Sequence, residues 1–220
     1  MLLLVNSYVS AQNAITYCKP GYVALTFDDG PNVYTGYLLD VLSQENVPAT
    51  FFVNGENFLS LDDDEAKKVL LRAHKEGHQI ASHTWSHKDL TTISGREFDS
   101  EVNALENAVS RIIGERTAFI RPPYGSTNDR VQKRLTTMGY KVALWSTDTQ
   151  DYLTHDLESE TTNIKESLNT EASENGPIVL SHDVHQQTAH ELAGEMIRIF
   201  KEKGFKFATV AQCVDASPYK

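Results

Sequence analysis

Two adjacent carboxylates, Asp28 and Asp29, end an apolar run that begins at Val23. Two histidines four positions apart, His83 and His87, follow a second short apolar run. One carboxylate and two imidazoles form a three-ligand set for a divalent metal that keeps a position open. Mixed nitrogen and oxygen donors suit zinc best, with cobalt, nickel or manganese as further candidates. Such a metal lowers the pKa of a water it holds and polarises a carbonyl. On this reading Asp29, His83 and His87 are ligands, and Asp28 is free to act as base on the attacking water. The chemistry would be hydrolysis.

Hydrolysis also needs a proton for the leaving group. His182 is the candidate acid, because imidazole titrates near neutral pH. Asp148 is expected to pair with His182 and keep it protonated, and Arg121 to pair with Asp28 and hold it in place. Tyr124 follows two prolines that stiffen its loop, so its backbone N–H is a candidate oxyanion donor. Leu180, Trp145 and Tyr152 could wall a small apolar pocket. Each reading has a plainer competitor. Asp28 or Asp29 could serve only the turn before Gly30 and Pro31, His182 could simply be bonded to Asp183, and the wall residues could be ordinary core. His74 and His78 share the four-residue spacing but surround a helix C-terminus, where a structural role is expected. His185 is close enough to His182 to support it, and His155 and His190 read as solvated surface.

These groups need elements to bring them together. Apolar runs over 23–27, 49–53, 79–82, 118–121, 141–145, 177–180 and 205–209 read as buried strands. Between them lie helical periods over 35–44, 62–75, 94–113, 128–138, 160–174 and 188–203. The third carries Phe98, Val102, Leu105, Val109 and Ile112 on one face, with Ser94 placed as N-cap and Gly114 after the end. Strand–helix alternation implies a parallel sheet with covering helices. About seven repeats predict an α/β fold closed into a distorted (β/α) barrel rather than an open sheet. The polar candidates all fall at or after strand ends, and the C-terminal ends of parallel strands share one face of such a barrel.

The whole chain sets bounds. Its 220 residues suffice for one domain with a sizeable core. Formal net charge is −10, and no long basic run occurs. Nucleic acid and anionic membrane surfaces are therefore poor partners. Residues 1–11 are apolar and then small and polar, ending in Val9, Ser10 and Ala11. They read as a partial signal peptide without its basic start, or as an ordinary frayed terminus. The segment is too short to span a bilayer. Residues 12–220 show no linker or repeat and read as a single catalytic domain. Cys18 and Cys213 stand near opposite ends. In a secreted chain they can form one disulfide that staples the termini; otherwise they are two free buried thiols.

Five motifs then fall in order: TFDDGP at 26–31, HTWSH at 83–87, RPPY at 121–124, DTQDY at 148–152 and LSH at 180–182. This series resembles the polysaccharide deacetylases of the NodB-homology type, carbohydrate esterase family four, over nearly all of residues 20–213. ATFFVNG at 49–55, IVLSHDVH at 178–185 and the two cysteines make the chain most similar to secreted fungal chitin deacetylases. The resemblance implies a distorted barrel with fewer than eight full repeats. It also implies Asp28 as base, Asp29, His83 and His87 as metal ligands, His182 as acid tuned by Asp148, and Arg121 orienting the base. It makes the Tyr124 amide the oxyanion donor and Leu180 a lining of the acetate-methyl pocket. Tyr152 stands where many members have tryptophan, which leaves the pocket rim open.

The expected activity is removal of N-acetyl groups from N-acetylglucosamine polymers outside the cell or in its wall, by a monomer. Acetyl-xylan esterases use the same machinery, and peptidoglycan deacetylases share it less closely. A catalytically silent carbohydrate-binding protein would lack the base, a ligand or the acid, and none is missing.

Overall fold

The computed structural model describes residues 14–169 and 174–220. The segment read as a signal peptide lies outside the described residues. Eight strands form one sheet: β1 Tyr22–Asp28, β2 Thr50–Val53, β3 Gln79–Ser82, β4 Phe119–Ile120, β5 Lys141–Val142, β6 Thr147–Asp148, β7 Ile178–His182 and β8 Lys206–Phe207. The order is β5-β4-β3-β2-β1-β7-β6, with β8 also on β1, and every pairing between these strands is parallel. The helices are α1 Thr35–Glu45, α2 Asp64–Lys75, α3 Gly95–Ile113, α4 Asp129–Thr137, α5 Asp151–Thr154, α6 Leu157–Ser167, α7 Ala193–Glu202 and α8 Val210–Cys213. This is the expected distorted (β/α) barrel.

Alternation along the strands builds two sides. Val23, Leu25 and Phe27 of β1 pack outward with Leu38, Leu39 and Leu42 of α1 and Phe200 of α7. Ala24 of β1, Phe52 of β2, Ala81 of β3 and Ile178 of β7 form a separate inner cluster with Val210 and Ala211 of α8. The start of α8 plugs the lower end of the barrel. There Val210 N–H donates to Thr50 Oγ1 at 2.9 Å and Ala211 N–H to Gln79 Oε1 at 2.8 Å. A third cluster joins Ile120 to Phe98 and Val102 of α3 and Val131 and Leu135 of α4.

Three elements differ from expectation. The strand read over 141–145 pairs only at Lys141–Val142 with β4 and resumes at Thr147–Asp148 with β7. β5 and β6 are the two edges of the sheet, and residues 143–146 cross the gap between them. There the carbonyls of Ala143 and Leu144 accept from the Arg121 guanidinium at 3.3 and 2.8 Å, and Leu144 N–H donates to the Ile15 carbonyl, so a side chain and a single bridging residue take the place of a regular strand pairing. The helix read from residue 160 starts at Leu157, because Asp156 caps it by accepting from Ser159 N–H. The helix read from residue 188 opens with a π turn over Thr188–Leu192 before α7, a geometry that concentrates at functional sites. Ser94 does hold the N-cap position of α3 in extended backbone, but its side chain makes no capping bond.

Cys18 and Cys213 form a disulfide across 195 residues at the end of the barrel away from the motif loops. It ties the segment before β1 to α8. Replacing both cysteines with alanine is expected to lower stability by ~2–5 kcal/mol, since a long loop is released in the unfolded chain. Urea unfolding of both forms measures this, and activity at low temperature should survive because the site lies at the other end.

Candidate active site

In the parallel register of β1 and β7, Asp28 stands directly beside His182. Thr26 and Asp28 point to the inner side of β1, as Leu180 and His182 do on β7, because successive side chains alternate. Arg121 follows β4 and is fully buried. Its Nη1 donates to Asp28 Oδ1 at 2.6 Å and to Thr26 Oγ1 at 2.8 Å. Its plane lies over the Phe52 ring at 4.1 Å. The expected Arg121–Asp28 pairing is therefore present. Burial pushes the Asp28 carboxyl up to about 6, with the Arg121 charge opposing.

Asp29, His83 and His87 present ligand atoms that all lie within 4.8 Å of one another. His83 Nδ1 lies 2.7 Å from the Arg121 carbonyl oxygen. A carbonyl only accepts, so Nδ1 carries the proton and Nε2 is a bare lone pair. Burial, reinforced by His87, holds His83 well below the ordinary histidine range, hence neutral. That lone pair faces Asp29 Oδ1 at 3.5 Å, and His87 Nε2 faces the same oxygen at 3.3 Å. Asp29 Oδ1 is buried and has no hydrogen-bond partner. Acceptors gathered without a proton between them fit a cation, and these three residues form one site able to hold a divalent metal.

The partner of His182 corrects the sequence reading. His182 Nδ1 pairs with Asp151 Oδ1 at 2.7 Å, and its backbone N–H donates to Asp151 Oδ2 at 2.7 Å. Thr188 of the π turn donates to the same Oδ2 at 2.8 Å. Asp148 instead accepts from the Gln150 N–H and from the Tyr152 hydroxyl. A turn through Gln150, at φ +59°, carries Asp151 back under the imidazole and leaves Asp148 at the rim. Burial pulls the His182 imidazolium down, but the Asp151 bond and charge outweigh it and raise the ring to about 9. Asp183 is no partner of His182 either. It points outward, accepts from Thr35 Oγ1, and sits so close to Gly30 that a Cβ there would come within 2.2 Å of it.

The groups open into one cavity of about 340 Å³, lined by both carboxylates and both histidines together with Tyr124, Trp145, Tyr152, Leu180 and His182. The three wall residues proposed from sequence thus converge, with Tyr124 beside them. Glu101 of α3 has no motif to mark it, yet its carboxylate accepts from Ser86 N–H and Oγ–H at 2.8 and 2.7 Å and so anchors the loop between the two histidines. Gly55 lets the Trp85 ring close on the same loop, since a Cβ there would lie 1.9 Å from it. Asp29, Thr84, His87 and Tyr124 all hold positive φ without being glycine, and backbone of this kind clusters at functional sites. Of the other histidines, His78 Nδ1 accepts from Ala49 N–H in the fold interior. His155 and His190 do more than meet solvent: the first packs edge-on to His185, the second stacks on Tyr37.

His182 supplies a direct check. In metal-free protein its ring should titrate near 9 by NMR, and in Asp151→Asn it should titrate clearly lower. A raised folded-state pKa means that this pair's stabilisation is fully present below about 6.5 and is lost as pH rises through about 9. An unchanged titration in the variant would refute the pairing.

A family model for polysaccharide deacetylases matches residues 17–143. A chitin deacetylase from Pestalotiopsis sp is 44% identical over 216 residues, covering 96% of this chain and 70% of that protein. A peptidoglycan-N-acetylglucosamine deacetylase from Bacillus cereus is 33% identical over 199 residues, covering 89% of this chain and 69% of that one. The structure of the chitin deacetylase from Colletotrichum lindemuthianum superimposes with a TM-score of 0.87 at 38% identity, over 94% of this chain and 95% of that one. With the motif residues gathered in one cavity and similarity running along nearly the whole chain, the protein belongs to the polysaccharide deacetylase family.

Proposed function

We propose that the protein is a zinc-dependent hydrolase, exported from the cell, that removes N-acetyl groups from N-acetylglucosamine polymers of the chitin type. One observation carries the mechanism. Asp28 and His182 are neighbours in register, and each is held by its own buried counter-ion, Arg121 and Asp151. Asp28 at about 6 is ionised at neutral pH and can accept a proton, while His182 at about 9 is protonated and can give one. The environments set opposite roles for adjacent groups.

Asp28 Oδ1 is engaged by Arg121, which leaves Oδ2 to take the proton of the attacking water. When bound to Asp29, His83 and His87, zinc would acidify that water and polarise the acetamide carbonyl. Tyr124 lines the cavity, and its backbone N–H would donate to the oxygen that gains charge. His182 Nδ1 is engaged by Asp151, so Nε2–H is free to protonate the departing nitrogen. The carbonyl carbon gains an oxygen, the C–N bond breaks, and acetate and an amine leave. Leu180 and Trp145 wall the space for the acetyl methyl, and Asp148 steadies Tyr152 at the rim.

The nitrogen–oxygen donor set favours zinc. Identity to the Pestalotiopsis chitin deacetylase, 44%, exceeds the 38% and 33% to two peptidoglycan deacetylases, which favours chitin. The Cys18–Cys213 disulfide supports an oxidising compartment and hence export.

The test is acetate release from chitin oligomers and from acetylated xylan, side by side. Chelator should abolish release from chitin oligomers, and added Zn²⁺ should restore it. Asp28→Asn and His182→Ala should each lower kcat about 10²- to 10⁴-fold, with Asp28→Asn still binding metal. Release from xylan alone would replace the amide with an ester as the bond cleaved. No release from either by metal-loaded protein would sink the reading.

A further inference from the structure

Between His83 and His87 the chain reads Thr84, Trp85 and Ser86, which belong to neither helix nor strand. Thr84 and His87 both hold positive φ, 71° and 58°. A loop this short does not take two such residues unaided, so its neighbours must impose the shape. The first half is held from β2 and the residues after it. Asn54 Nδ2 donates to the His83 and Thr84 carbonyls at 2.6 and 3.0 Å, and the Gly55 and Glu56 N–H groups donate to the Trp85 carbonyl at 2.9 and 2.8 Å.

The second half is gripped by Glu101 of α3. The Glu101 carbonyl accepts from Trp85 N–H at 2.9 Å. Its two carboxylate oxygens take both donors of Ser86, one from N–H and the other from Oγ–H. Glu101 is only 6% exposed. Lys88 Nζ stands 3.9 Å off on a half-exposed side chain. Ser86 cannot turn away without leaving a buried carboxylate short of donors, which is costly.

A ligating imidazole is ordinarily oriented through its second nitrogen, by a hydrogen bond to a group outside the ligand set. His83 has that bond, from Nδ1 to the Arg121 carbonyl. His87 lacks it. Among the described residues its Nδ1 takes part in no hydrogen bond, while Nε2 faces Asp29 and the ring meets Tyr124 edge-on at 4.6 Å. The orientation of His87 therefore depends on its backbone, and that backbone is anchored one residue earlier.

We propose that Glu101 is a positioning residue of the metal site: through Ser86 it fixes the backbone from which His87 reaches the cation, and so sets how tightly the site holds a divalent metal. The inference rests on the metal reading above. Glu101 does not line the catalytic cavity, so it acts through the loop and not by contact. A glutamate that only packed α3 against the loop would stabilise the fold and leave metal affinity alone.

The experiment measures Zn²⁺ affinity of the metal-free full chain by competition with a chromophoric chelator, and the thermal melt of each metal-free form. Glu101→Ala should weaken Zn²⁺ binding about 10- to 100-fold. Glu101→Gln, in which one acceptor oxygen becomes a donor, should fall between it and wild type. Ser86→Ala removes a single bond and should cost about two- to tenfold. Added to Glu101→Ala it should cost nothing more, because the two residues act as one unit. Val109→Ala, a core change in the same helix, should lower the melt yet keep Zn²⁺ affinity within about twofold. Glu101→Ala binding as tightly as wild type, or losing no more affinity than Val109→Ala, would overturn the proposal. Should Glu101→Ala not fold, Ser86→Ala keeps the carboxylate and reads the same contact, and unchanged affinity there is equally fatal. Tight wild-type binding with unaffected variants brings down the proposal alone, whereas a wild type that takes up no Zn²⁺ brings down the metal reading with it.

Discussion

The buried pair of Arg121 and Asp28 is the constraint on which the rest of the site depends. A guanidinium with no solvent exposure is tolerated only when its donors find partners, and here they find them on separate elements. Asp28 and Thr26 hold it to β1, and the carbonyls of Ala143 and Leu144 hold it to the stretch that bridges the sheet edges. Its own carbonyl fixes the tautomer of His83. One side chain thus helps bridge the sheet edges, offsets part of the desolvation of the neighbouring carboxylate and orients an imidazole of the candidate metal site. Removing one partner of such a pair leaves a buried charge uncompensated, at a cost of about 3–5 kcal/mol.

Around that pair the loops are held in conformations the backbone does not choose unaided. Asp29, Thr84, His87, Tyr124 and Gln150 all take positive φ. Each departure costs on the order of 1–3 kcal/mol and persists because surrounding contacts fix it. Glu101 grips Ser86, Trp85 fills the space that Gly55 leaves, and Asp183 presses against Gly30. Burial drives Asp183 up to about 7 against the opposing Thr35 bond, so the loop after β1 rests on a carboxyl that is itself poorly solvated. Asp29, His83 and His87, which together could hold a metal, are therefore positioned by the contacts of the fold itself.

Asp28 and His182 show how environment divides labour. Both are buried, and burial alone would raise the first and lower the second. Asp28 meets a cation that offsets part of its desolvation and stops near 6. His182 meets a carboxylate that overcompensates and reaches about 9. The difference arises from the neighbour each receives, and both neighbours come from strand ends far away in sequence.

Much of the architecture was legible from periodicity. Alternating apolar runs and one-faced helices implied a parallel barrel, and a barrel gathers the residues that follow its strands. Asp28, Asp29, His83, His87, Arg121 and His182 could be chosen because their types at strand ends are poorly suited to packing alone. Choosing between Asp148 and Asp151 was beyond the sequence, since both follow one strand and only the turn at Gln150 decides which reaches the imidazole. Glu101 carried no signal, because a helical glutamate is ordinarily a surface residue. The bridging of the sheet edges by residues 143–146 was equally hidden, as it depends on hydrogen bonds from a side chain more than twenty residues away. Local pattern determined which elements form and which residues they deliver to one face. Tertiary packing decided which delivered groups touch, because contact, burial and charge at the site are set by segments distant along the chain.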